Sequence, residues 1–339
     1  MISPRARSVL MLLVALLAAG TFRATGAQPA PPSSETAGMV DATVISGQIE
    51  AFARDLERLR RFMGAPKAGE LDIGIRSAIP RDLYFQTLTL RQQTDRLLFE
   101  IMRVHANPPP APAGAIDLRD ALATLQDANQ ILQQVMRELR IGPTAEPPPT
   151  PMPEGKATLA DSFIATLDLT RQLDLLVERH IAPRDVYREV TLAVAYAARL
   201  LARYAEATRL PAEPSFEPGQ QPGDVYRRLI GCLQSIARIF ATLGLPVLQI
   251  DTSQTDVANL RPGDVFLVAS MIVSQLDFLY QRLDSAKARP QATYPGFKFP
   301  SHTYQRAGIL QAQLTQIERF LATDRAASGE SHEPAAPER

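Results

Sequence analysis

The side chains that could carry chemistry in this chain are few and poorly spaced for it. Four histidines, His105, His180, His302 and His332, stand with no two at the three- or four-residue spacing of a helical metal pair. Cys232 is the only cysteine, so no Cys-x-x-Cys redox or haem-attachment site and no internal disulfide can form. Within the apolar run 229–233 it reads as a small buried hydrophobe. A Gly-rich phosphate loop and a Gly-x-Ser-x-Gly elbow are both missing from the sequence. Carboxylate pairs of the glycosidase kind want stacking aromatics, and a Trp-free chain with 6% aromatic residues supplies them poorly. The chain therefore reads as non-enzymatic, with neither cofactor nor metal.

What does recur is an acid deep inside helices. Asp95, Asp174 and Asp277 each lie thirteen residues after another aspartate, Asp82, Asp161 and Asp264, and each follows a glutamine by two. At 3.6 residues per turn Asp95 shares a face with Leu88, Leu98 and Met102, Asp174 with Leu167 and Val177, and Asp277 with Val273 and Tyr280. Arg199 and Arg238 sit fourteen residues after Asp185 and Asp224. Buried charge must be paired, so these five residues predict either cross-helix Asp–Arg pairs, most naturally between parallel helices, or a polar ligand site. Arg91 offers Asp95 a local partner four residues away.

The aspartates from which these distances are counted open helices with a common signature. It reads Pro-x-Asp-apolar-aromatic at Asp82 and Tyr84, Asp185 and Tyr187, Asp224 and Tyr226, and Asp264 and Phe266. Asp161 and Phe163 repeat it without the proline, and Tyr304 follows a degraded copy with His302 in the aspartate's place. An aspartate near a helix start accepts hydrogen bonds from unpaired N–H groups and opposes the positive dipole end, worth about 1 kcal/mol. The proline stops the preceding chain from continuing the helix, the residue between is less constrained, and the aromatic packs on a neighbour. Counting Asp41 and Asp120 by position, the starts fall at 41, 82, 120, 161, 185, 224, 264 and 302. Every step is close to 39 except the 24 at the middle, and the two halves superpose at offsets of 141 to 144.

The 28 prolines bound the elements these motifs require, because a proline inside a helix costs about 3 kcal/mol. Eight proline-free windows show apolar residues at helical spacing, and none sustains strand-like alternation. The fold class is all-α: eight helices in an internally duplicated array, either two tandem four-helix bundles or one continuous helical repeat. Long proline-bearing separators can run extended back along a helix and so permit parallel neighbours. The expected segments are a signal peptide over 1–27, a flexible Pro-rich stretch over 28–35, four-helix units over 36–182 and 183–323, and a disordered tail over 324–339.

Arg5 and Arg7, the apolar run 9–19 and the small residues up to Ala27 have the layout of a secretory signal. The expected product is periplasmic or secreted, with no later membrane-spanning segment. Lys and Arg total 36 against 36 acids, a balance that argues against a nucleic-acid partner. The expected function is a helical-repeat scaffold binding another periplasmic or envelope protein. The alternative is a small-ligand or cation module using Asp and Tyr side chains between helices.

Overall fold

The computed structural model describes residues 42–69, 73–109, 112, 116–142, 158–178, 180–253, 255–283, 290–293 and 295–327. The expected signal peptide and 28–35 stretch lie outside these, as do residues 143–157, which contain Pro147, Pro148 and Pro149. Among the described residues there are eight α-helices: α1 Ala42–Met63, α2 Pro80–Met102, α3 Leu118–Glu138, α4 Leu159–Asp174, α5 Pro183–Leu201, α6 Pro222–Thr242, α7 Pro262–Leu283 and α8 Pro300–Ala327. The fold is all-α, with one short antiparallel ladder among the described residues, β1 Gly74–Ser77 against β2 Gln249–Asp251. Its strands are three and four residues long and lie in connections, too short to leave a period in the sequence.

Helices pack in two sets with the same pairing. In the first, α1 and α2 each touch α3 and α4; in the second, α5 and α6 each touch α7 and α8. Contacts between alternate helices of a set join residues about eighty apart, which is two helix steps. Gln86 reaches Thr170 and Glu100 reaches the Glu178 amide across α2 and the end of α4; Asp55 meets Gln133 and Arg58 meets the Gly142 carbonyl across α1 and α3. Tyr196 meets Asp277 and Arg199 meets Tyr280 across α5 and α7, while Arg228 meets Tyr304 and Arg238 meets Glu318 across α6 and α8. Residue number rises together on both partners in each case, so these neighbours are parallel.

Parallel neighbours need a connection that returns the chain to its starting end. The α5–α6 connection does this in the open: Thr208, Arg209, Pro214 and Gln220 bond in turn to Gln316, Gln313, Gln305 and Ser301, descending α8 as they advance. Fifteen helical residues rise about 23 Å, well within the reach of twelve residues of proline-bearing chain, which can span up to about 37 Å when extended. A step near 39 is therefore a helix plus its return. The step of 24 has no return: α4 turns through His180 into α5, and Arg81–Gln275 and Arg171–Asp264 contacts place α7 antiparallel to α2 and α4.

α7 is the one helix among the described residues apolar and long enough to cross a membrane, and most of it is buried. It touches α5 and α6 of its own set and α2 and α4 of the other, so apolar residues are needed all round it. Two further expectations are corrected. The prolines of the signature stand inside the helices at the first helical position, where no amide is needed and their fixed φ suits the turn. The helix α8 continues past 323 to Ala327, with no breaker before it and Arg325 favourably placed at the negative dipole end; residues 328–339 of the expected tail lie outside the described residues.

Candidate functional site

At one end of the second set the four helix starts converge. Pro183, Pro222, Pro262 and Pro300 and, one turn later, Val186, Val225, Val265 and Thr303 surround the axis and leave only a small apolar gap. Four parallel helices gather four positive dipole ends there, which repel unless countered. Asp185, Asp224 and Asp264 supply the charge, each accepting the N–H of the residue three positions earlier at 2.9 Å; His302 Nδ1 accepts the Phe299 N–H at 3.1 Å in the fourth. Asp82 and Asp161 do the same in the first set, at 3.1 and 3.0 Å.

The aromatics of the signature pack as helix-start residues. Tyr84, Phe163, Tyr226 and Phe266 are buried, with the Tyr226 hydroxyl against Thr255 and raised in pKa by burial. The Arg228 guanidinium covers the Tyr304 ring at 3.5 Å and the Lys298 ammonium covers Tyr187 at 4.8 Å. The position between proline and aspartate proves tightly constrained. Arg81 is 3% exposed, and a Cβ at Gly223 or Gly263 would press on Val257 or on Asp174 Oδ2.

Asp95 and Asp174 do different work from the expected Asp–Arg pairing. Asp95 braces the chain leaving α2, accepting from the Ala106 N–H at 2.6 Å and meeting His105 Nδ1 at 2.8 Å. Asp174 does likewise at the end of α4, accepting the Ile181 N–H at 2.9 Å. Arg91 turns to Asp127 on α3 at 2.7 Å rather than to Asp95, because α3 packs along its face of α2. Asp277, 2% exposed, accepts from the Tyr196 hydroxyl at 2.6 Å, and Arg199 donates to the Tyr280 hydroxyl at 3.1 Å one turn on. Arg238 does pair across parallel helices, with Glu318 at 3.0 Å. Cys232 is buried, and burial pushes its thiol up to about 12.

Two features combine residues that no motif links. The first is an exposed aromatic cluster beside the converging helix starts: Phe216, Phe297 and Phe299 are 48%, 75% and 56% exposed, with His302 among them. Phe297 lies 5.0 Å from Phe299, and His302 lies 5.1 Å from Phe216 and 5.9 Å from Phe299 between ring centres. The run Phe297-Lys298-Phe299 between Pro295 and Pro300 is the signal that could have found it. The second is a cleft of about 270 Å³ where the chain leaving α1, the end of α4 and the start of α7 meet; Lys67, Arg171, Asp174, Arg261 and Asp264 line it. Arg171 binds Asp264 at 2.8 Å and the Gly69 carbonyl at 2.8 Å.

Burial raises the Asp174 carboxyl, outweighing the Ile181 N–H and the nearby His180 and Arg96 charges. This carboxyl therefore binds a proton more tightly in the folded state than in the unfolded chain, and its own contribution to stability rises as the pH falls through the carboxylate range. Asp174→Asn keeps an oxygen for the Ile181 N–H and removes the charge. It is expected to be more stable than wild type at pH 7, with the margin shrinking toward pH 4 in thermal melts. A margin that grows toward acid contradicts this account of the carboxyl.

No family model, curated protein or solved structure matches this chain.

Proposed function

We propose that this is a non-enzymatic, periplasmic helical-repeat protein that binds another envelope protein, built by tandem duplication of a four-helix unit. The duplication is supported by the equal pairing within the two sets, the half-to-half offsets of 141 to 144 and the single short step at their junction. Cleavage near Ala27 would deliver the chain to the periplasm with 33 basic and 36 acidic residues. The observation that carries the binding reading is the Phe216, Phe297 and Phe299 cluster. Three large apolar rings at the surface, on the connections at one end of a bundle, resemble the aromatic anchors that dominate protein interfaces.

Pull-down from periplasmic extract tests it, comparing wild type with Phe297→Ser/Phe299→Ser. Both side chains are exposed, so the variant is expected to keep the wild-type melt and lose the captured partner. A partner retained by the variant, or a co-purifying small molecule with no protein, overturns the reading. A second reading, the small-ligand module, draws on one observation: Asp174 opens on the cleft beside α7.

A further inference from the structure

The cleft beside α7 carries charges of both signs that the fold leaves unused. Lys67 and Arg261 line it, and their side chains make no hydrogen bond or ion pair within the described residues. Arg171 spends its Nε on Asp264 and its Nη1 on the Gly69 carbonyl, leaving Nη2. Asp264 is fully engaged, one oxygen on Arg171 and the other on the Arg261 N–H. Asp174 is half engaged: Oδ1 takes the Ile181 N–H, while Oδ2 stands 3.2 Å from the place a Cβ would occupy on Gly263. A side chain at Gly263 would close on that oxygen, and glycine keeps it open.

We propose that this cleft binds a small zwitterion of the α-amino acid type, its carboxylate held by Lys67, Arg171 and Arg261 and its ammonium by Asp174 Oδ2. The proposal rests on the second reading above and replaces its Asp and Tyr ligands with a mixed set. Three cations facing one free carboxylate oxygen match a ligand that carries both charges, since a plain anion leaves Asp174 unmatched and a plain cation meets Lys67 and Arg261. A volume of about 270 Å³ is below that of drug-sized pockets and suits a metabolite of few heavy atoms. The raised Asp174 carboxyl shows that holding an acid here costs the fold stability, as binding sites commonly do.

Calorimetric titration of the mature chain with glycine, L-leucine and L-glutamate, against propionate and ethylamine, tests the assignment. Saturable binding is expected for at least one amino acid, about tenfold tighter than for propionate or ethylamine. Lys67→Ala/Arg261→Ala should weaken it by about tenfold or more with an unchanged melt, because both side chains are exposed. Asp174→Asn should weaken the amino acid and leave propionate unaffected. No saturation by any amino acid at about 10 mM, equal binding of propionate, or binding that survives the double variant overturns the proposal. Phe297→Ser/Phe299→Ser should bind the amino acid as wild type does, so loss of the protein partner and loss of the ligand are separable.

Discussion

Arg81→Ala lowers stability by about 3–5 kcal/mol in urea denaturation, the cost of breaking a buried, hydrogen-bonded charge contact by removing one partner. Arg81 sits at the second helical position of α2, between the two helix sets. Its Nη2 donates to Asp82 Oδ1 at 3.2 Å and to Gln275 Oε1 at 2.9 Å, and Gln275 Nε2 donates to Asp82 Oδ1 at 2.7 Å. The guanidinium lies 3.7 Å from the Phe278 ring centre and 5.5 Å from that of Phe240. Nε and Nη1 are buried without an acceptor, and burial lowers the arginine pKa against the pull of Asp82. The site is therefore costly to build and costlier to break. Alanine leaves a cavity between two phenylalanines and strips Asp82 of its cation. Arg81→Met refills the space against Phe278 and should recover part of the loss. A loss under about 1 kcal/mol for Arg81→Ala would mean that the contact between α2 and α7 does not depend on this charge.

How much of this was legible in the sequence follows from the range of the interactions. The helices were, because a proline acts on its own turn: five helices begin at the signature proline itself, although α4 and α5 stop well short of the next proline. The aspartate caps were too, since each acceptor lies three residues from its donor. The sequence leaves the parallel course of the helices open, although its 39-residue step already contains it as helix plus return. Arg81 and Gly223 look loosely constrained in the sequence because their neighbours, Phe278 and Val257, are far away in the chain. The deep acids were assigned arginine partners on the sound ground that buried charge needs compensation, but backbone N–H groups at Ala106 and Ile181 compensate Asp95 and Asp174 instead. The cleft draws Lys67 from the chain leaving α1, Asp174 from the end of α4 and Arg261 from the approach to α7, and no local pattern joins them.

Gly223→Ala and Gly231→Ala, eight residues apart in α6, are expected to move stability in opposite directions. Gly223 is the second helical residue, and the return from α6 to α7 folds back over it through the 3-10 turn Val257–Asn259. An added Cβ would fall inside contact distance of the Val257 carbonyl oxygen and 3.0 Å from its Cγ1. Neither atom can step aside freely: the turn is capped by Asp256, which accepts the Ala258 N–H at 3.2 Å, and its approach is tied by Thr255 to the Tyr226 hydroxyl at 3.3 Å. Overpacking of this kind costs about 1–3 kcal/mol. Gly231 lies in the middle of the same helix with nothing within 4 Å of its would-be Cβ. Alanine there removes the entropy cost of a mid-helix glycine and gains about 0.5–1 kcal/mol. Thermal and urea unfolding of both variants measure the two signs together. A stabilised Gly223→Ala would show that the returning chain yields to α6, and with it that the close approach of Val257 does not fix where the connection lies.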